Sequence, residues 1–379
     1  MDHRIDDDDT QLRAALLRFL RERLPDPGAE PDRARRRAAW SELVAAEWLE
    51  HFSTSFADGD GAGAVAALHV AEAFGVAPVP GPADTVAGYL IPLVAATGWS
   101  AAADRLRDGS LVTAVVPGLT EPGPDRRARY RAERCTALTG AGMTSVSGTV
   151  AGVPCAADAD ALVVAVDLDG TAALALVDLH GDGVRVGPPR GVDLRRPVGD
   201  VVLDAAPAVS VHAPTDLLAH EDAGARRHSL FRDAEAVGAG GELVARTVAY
   251  CTERRQFGRP IGSFQAVRHR IADAAARVEG ARSLAYRAAW DLATDVASAP
   301  VDVVASRLWS SAAAVTAGEA AVQCHGGMGF TWEQGVHVFY RAALAGRGDA
   351  AVRPARAVIA AHLRDLAGGA APVARDGAA

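Results

Sequence analysis

The sequence predicts an α+β fold in three parts, and three observations carry that reading. Helical periodicity fills the chain up to about Arg107. Short β-branched runs bounded by Gly, Asp and Pro replace it from Leu111 to about Val211. Helical patterns longer than any before then return. The expected boundaries are 1–110 for a helical part, 111–215 for an antiparallel β-barrel or sandwich, 216–370 for a four-helix bundle and 371–379 for a tail.

In the first part, Leu12, Leu16, Phe19 and Leu20 stand at helical spacing until Pro25-Asp26-Pro27-Gly28 breaks the pattern. Ala64 to Phe74 is a second helical run. Pro78-Val79-Pro80-Gly81-Pro82 ends it, and Thr85 to Ala96 resumes an apolar helix. In the second part Leu111–Val116, Ala161–Val166 and Ala172–Val177 read as strands with no helical pattern between them. In the third part, after Asp222-Ala223-Gly224-Ala225, a helix is expected from about Leu230 to Thr252. A second, N-capped by Ser263, carries Phe264, Val267, Ile271, Ala274, Val278, Ala281 and Leu284 on one apolar face. A third, opened by Pro300, runs through Val304, Leu308, Val315 and Val322 to a stop at Gly326-Gly327. Long helices with short connections predict a bundle.

A chain of 379 residues exceeds what one hydrophobic core usually supports, which fits several cooperating parts. Hydrophobic residues at 49% and charged residues at 23% are ordinary for a globular protein. There is no lysine, so the 39 Lys+Arg residues are all arginine, and chemistry needing a Schiff-base or phosphate-loop lysine is excluded. The net charge of -8 argues against nucleic-acid binding. Cys135, Cys155, Cys251 and Cys324 are scattered, so neither a zinc site nor a disulfide framework is expected, and no metal is. The acidic start MDHRIDDDDT is unlike a secretory signal, and no apolar run reaches membrane-spanning length. A soluble, cytoplasmic protein is expected.

The chemistry-bearing residues cluster at two places. Arg254-Arg255-Gln256-Phe257-Gly258-Arg259-Pro260-Ile261-Gly262-Ser263-Phe264-Gln265-Ala266 joins one long helix to the next. Guanidiniums there suit a pyrophosphate, Gln256 and Gln265 supply neutral donors, and Phe257 supplies a flat apolar surface. Arginines at an arbitrary helix end ordinarily just compensate the helix terminus in water. The second place is Gln323-Cys324-His325-Gly326-Gly327-Met328-Gly329, where glycines let a backbone pass close to a ligand; standing alone it reads as a helix C-cap. His325 is read as a packing or hydrogen-bonding residue, because no partner for proton transfer is identified.

Taken in order, these two strings resemble the helix-to-helix signature and the Gln-x-x-Gly-Gly-x-Gly element of the acyl-CoA dehydrogenase family. Upstream, Leu119-Thr120-Glu121-Pro122-Gly123 is similar to the start of that family's flavin loop. It then departs into Pro124-Asp125-Arg126-Arg127-Ala128-Arg129-Tyr130-Arg131, and the usual Trp/Tyr-Ile-Thr element is missing further on. The Arg126–Arg134 cluster is read as a solvated loop in preference to a contact for coenzyme A phosphates.

The resemblance implies an FAD-dependent oxidoreductase acting on the CH-CH group of an acyl-CoA thioester. It implies FAD contacts from Thr120, Arg254, Gln256, Phe257, Gln265, Gln323, Gly326 and Gly327, and flavin lying between subunits of a dimer or dimer of dimers. The family's glutamate base is absent from both usual places, which hold Ala350 and His228. Asp349, beside the first, and Glu235, two turns beyond the second, are the remaining carboxylates, with a surface or ion-pair role the expected one for Glu235. Bacterial relatives acting on steroid side-chain CoA esters lack part of the site and work as heteromers, so a second chain completing the site is expected here. The alternatives are an inactive partner subunit and a flavin oxidase or monooxygenase on the same fold.

Overall fold

A computed structural model describes residues 5–24, 32–54, 59–77, 79–116, 135–140, 143–347, 358–360 and 362–364. The helical first part comprises α1 (Asp7–Arg23), α2 (Arg33–Ala45), α3 (Trp48–Thr54), α4 (Gly61–Ala71), α5 (Ala73–Val76), α6 (Ala83–Thr85), α7 (Ile91–Thr97) and α8 (Ser100–Arg107), with a π-helical turn, Val86–Leu90, joining α6 to α7. Asp6, Asp32 and Asp60 cap α1, α2 and α4 by accepting backbone N–H bonds. Leu16 and Leu20 are buried, as their spacing predicts.

The strands are β1 (Val112–Ala114), β2 (Cys135–Gly140), β3 (Met143–Pro154), β4 (Ala161–Leu168), β5 (Thr171–Asp178), β6 (Val184–Val186) and β7 (Val198–His212). Hydrogen bonding follows β1-β4-β2-β3-β7-β5, and a further β4–β5 pairing closes β4, β2, β3, β7 and β5 into a ring. A ring leaves these strands without open edges, which is the physical gain of a barrel over a sandwich. The antiparallel expectation holds for most ladders. β4, however, runs parallel to both β1 and β2, with Val112 opposite Ala161 and Cys135 opposite Val166.

Four long helices follow: α9 (Leu217–Glu253), α10 (Gln265–Ala293), α11 (Ala299–His325) and α12 (Val336–Arg347). Three sequence expectations change here. First, α9 begins well before Leu230, and the 222–225 stretch lies inside it. Gly224 is needed there because a Cβ would sit 2.6 Å from the Tyr89 ring. Second, Ser263 does not cap α10: it belongs to a 3-10 turn, its hydroxyl donates to the Pro260 carbonyl, and α10 begins after Phe264 with no side-chain cap. Third, Ala274, Val278 and Ala281 are buried but Leu284 is exposed, since the buried stripe drifts to Ala285 at 3.6 residues per turn.

One apolar core runs continuously through the first helices, the sheet and the near half of the bundle. Phe231 of α9 sits at its centre with ring centroids 4.8 Å from Phe52 and 5.2 Å from Phe74. Fully burying such a ring stabilises by about 1.5–3 kcal/mol. A second cluster, including Val237, Leu243, Val278 and Phe339, fills the far half of the bundle. α5 and α9 touch backbone to backbone: a Cβ on Gly75 would lie 2.0 Å from the Glu235 carbonyl oxygen, and one on Gly238 would lie 2.0 Å from that of Glu72.

Candidate functional site

The first motif begins where α9 stops. Arg254 turns the chain into an extended conformation while its N–H still donates to the Tyr250 carbonyl, and a small hairpin follows, β8 (Arg255–Gln256) with β9 (Arg259–Pro260). The two residues between, Phe257 at φ 50° and Gly258 at φ 80°, are both left-handed. A two-residue hairpin turn of this hand favours Asn or Gly, and a bulky aromatic at its first position costs about 1 kcal/mol. The Phe257 ring is 92% exposed, edge-on to Phe264 at 6.2 Å, while the Arg259 guanidinium stacks on Phe264 at 4.0 Å. No carboxylate engages Arg254, Arg255 or Arg259 among the described residues. Gln256 donates to the neighbouring Arg255 carbonyl, and Gln265 is exposed at the start of α10.

The second motif lies beside the first. α11 ends at His325, and Gly326, at φ 62°, leads into a 3-10 turn ending at Phe330. Gln323, Gly326 and Gly327 are exposed, and so is the Phe330 ring. His325 is buried: its Nδ1–H donates to the Ala321 carbonyl, its ring stacks on Tyr250 at 4.2 Å, and burial lowers its pKa so that the imidazole stays neutral. Packing and hydrogen bonding account for it. The last turns of α9 and α11 therefore place both motifs at one end of the bundle.

The family's base position and its nearest carboxylate lie elsewhere on α9. His228 points Nε2 at Asp84 of α6, 3.4 Å away, and Asp84 also receives Arg232 at 3.0 Å and Arg196 at 3.4 Å. Burial alone would raise the Asp84 carboxyl, but Arg196, His228 and Arg232 together hold it well below the usual carboxylate range. Glu235 is not on the surface. It is buried, and both its oxygens take the Arg196 guanidinium, Oε2 at 2.8 Å. Arg196 also donates to the Gly81 carbonyl. Next along α9, buried Asp233 accepts from Ser306 and from the fully buried Arg307, which in turn holds the Gly346 carbonyl at the end of α12. A cavity of about 30 Å³, room for one or two waters, lies among Arg195, Arg196, Arg232, Arg307, Glu235 and Ser311.

The 26 residues from His228 to Arg254 span about 39 Å of helix axis at ~1.5 Å each. The Arg254 turn, with its share of the residues expected to hold a cofactor, thus lies far along the helix from the base position. Thr120, Asp349, Ala350 and the Arg126–Arg134 cluster lie outside the described residues. The charged network through Asp84, Arg196, Arg232 and Arg307 was missed at the sequence level. Its one local signal is an acid, Asp84, in an otherwise apolar run, because its partners stand more than a hundred residues away in the chain. Among the described residues, no group of three or more His, Cys, Asp or Glu side chains is placed to hold a metal, and no helix is long and apolar enough to cross a membrane.

Residues 231–348 match the family described as acyl-CoA dehydrogenase, C-terminal domain. FadE27, an acyl-CoA dehydrogenase of Mycobacterium tuberculosis, is 30% identical over 329 residues, 81% of this chain and 82% of that one. The chain belongs to the acyl-CoA dehydrogenase family. IpdE2 of the same organism is 39% identical over 110 residues, which cover 29% of this chain and 33% of IpdE2, so that match spans about a third of the relative. Among solved structures, a chain of the ChsE4-ChsE5 complex from M. tuberculosis superposes with a TM-score of 0.76 at 24% identity, over 98% of this chain and 100% of that one. The glutaryl-coenzyme A dehydrogenase complex with glutaryl-CoA gives 0.74 at 20% identity, over 97% of each. These likenesses show the fold.

Proposed function

We propose that this chain is an FAD-binding subunit of a cytoplasmic acyl-CoA dehydrogenase, acting in a dimer or dimer of dimers whose second chain, identical or different, completes the site. The observation that carries the reading is the separation along α9. An exposed, strained turn with unpaired arginines lies about 39 Å from the base position of the same chain, so a ligand held at the turn meets its chemistry on a neighbouring subunit.

The donors present fit the pyrophosphate of FAD. Arg254 supplies a guanidinium that no carboxylate among the described residues neutralises, Gln256, Gln265 and Gln323 supply neutral donors, and Gly326 and Gly327 present backbone without side chains. Phe257 offers an apolar face to a ring. When bound, FAD supplies the two-electron acceptor for the hydride that leaves the β-carbon of the acyl group. The α-proton needs a carboxylate. Glu235 is engaged by Arg196, and Asp349 is the other in-chain candidate, so a partner-supplied carboxylate is the reading preferred here.

The test is co-purification with flavin analysis. The wild-type assembly is expected to be yellow, and Arg254→Ala is expected to weaken FAD binding by at least ~10-fold in a fluorescence titration, the loss of one charge-assisted contact. A chain that stays colourless with added FAD, alone and with its partner, overturns the reading in favour of an inactive subunit. Full dehydrogenase activity of a monomeric preparation overturns the shared site. Rapid oxygen consumption by the reduced flavin favours an oxidase or monooxygenase.

A further inference from the structure

The cavity beside Glu235 is enclosed by α9, α11, α12 and the segment ahead of β7, and its lining is of two kinds. Five alanines, Ala236, Ala239, Ala314, Ala342 and Ala343, supply apolar surface from the three helices. The rest is dominated by the guanidiniums of Arg195, Arg196, Arg232 and Arg307, with Glu235 the one carboxylate in the lining. Every nitrogen of Arg196 is engaged, by the Gly81 carbonyl, Asp84 and Glu235. Arg195 differs. Asp193 takes its Nε and Nη2, while its Nη1 has no protein acceptor among the described residues, although the side chain is only 7% exposed. A buried donor without an acceptor is costly, so the cavity calls for an acceptor inside it.

The end of α12 adds a second observation. A Cβ on Gly346 would lie 3.3 Å from Arg307 Nη2 and 3.6 Å from Arg232 Nη2, so two guanidinium ends converge on the space a side chain would otherwise fill. Like charges brought together at a buried point favour an anion between them. Asp84, Asp193 and Asp233 pair with these arginines without lining the cavity, so four guanidiniums are matched by four carboxylates once Glu235 is counted. An anion entering here is therefore singly charged and brings a proton with it. Asp233 can take that proton. Burial pushes its carboxyl up to about 6, against Arg307 and Ser306, which face it from α11, and Arg232 on its own helix.

We propose that this cavity is a binding site for one small monocarboxylate, formate or acetate in size, whose oxygens accept from Arg195, Arg232 and Arg307 and whose carbon end meets the alanines. The volume, about 30 Å³ or one or two waters, sets the size. The chemistry of the donors sets the class, since a planar guanidinium fork matches the two oxygens of a carboxylate and has no such match to a spherical halide. The site needs no FAD, so it stands or falls apart from the flavin reading.

The test is calorimetric titration of the purified full chain with sodium formate at constant ionic strength. One formate per chain is expected, with a rise of roughly 3 °C in melting midpoint at saturation. Affinity should grow, by up to about tenfold per pH unit, as pH falls towards about 6, and level off below it, where Asp233 is protonated before the anion arrives. Asp233→Asn, which keeps an acceptor for Arg307 and cannot titrate, should bind without that slope. Arg195→Gln should weaken binding at least ~10-fold. Gly346→Ala, which adds one methyl beside Arg307 Nη2 and leaves every charge in place, should do the same with no fall in the melting midpoint of the empty protein, and it decides alone if Arg195→Gln does not fold. Equal binding of chloride overturns the carboxylate assignment. No saturable heat from formate or acetate, or full affinity in Gly346→Ala, overturns the site.

Discussion

The middle of α9 and the turn that follows it treat charge in opposite ways. Upstream, Asp233 and Glu235 are buried and every one has an arginine drawn from another element, Arg307 of α11 or Arg196 before β7. In the turn, Arg254, Arg255 and Arg259 stand in solvent with no carboxylate among the described residues. Charges buried in pairs hold a molecule together, whereas charges left exposed beside a strained aromatic turn are available to another molecule. The helix thus carries an internal fastening and its outgoing turn an external handle, and the two respond to mutation differently.

The largest effect should come from Glu235→Ala, which takes the two-oxygen partner from a buried guanidinium and leaves it Asp84, the Gly81 carbonyl and the nearby Asp193 charge. Loss of about 3 kcal/mol is expected in urea unfolding; a loss under about 1 kcal/mol would mean the upstream charges do not fasten the fold. Acid comes next. Burial alone would raise Asp193, but Arg195 and Arg196 outweigh it and hold the carboxyl at about 2, against 3.8 unfolded. A depressed carboxyl stabilises above its unfolded value, and that stability disappears as pH falls from about 4 through 2. It amounts to about 2 kcal/mol, and Asp193→Asn should flatten stability across that window. The smallest is Phe257→Gly at the downstream turn. Removing the left-handed strain should leave stability level or raise it by about 1 kcal/mol, while FAD affinity falls; a clear loss of stability would show that the ring serves this chain's own packing.

The order of parts was readable because each rests on local periodicity. Leu16, Leu20, Val304 and Val315 are buried where their spacing put them. The failures have one cause. Gly224 looked like a break because its reason for being glycine is Tyr89, far upstream in the chain, and Ser263 looked like a cap because local rules do not register the hairpin that ends beside it. For the site, the exposed motif was legible as a string because its residues are contiguous. Asp84 and Arg196 were not, since a buried ion pair leaves no periodic trace and only the folded chain brings its halves together.

The contact between α5 and α9 ties two distant charge clusters mechanically. On one side of it, Glu72 accepts from Arg282 and Tyr286; on the other, Glu235 accepts from Arg196. Where side chains separate two helices, a change of rotamer can absorb a local displacement. Here peptide presses on peptide, so nothing between them can yield. A disturbance at Glu72 would therefore be passed on to Glu235 undamped, and these two carboxylates, on different helices, should loosen together or not at all.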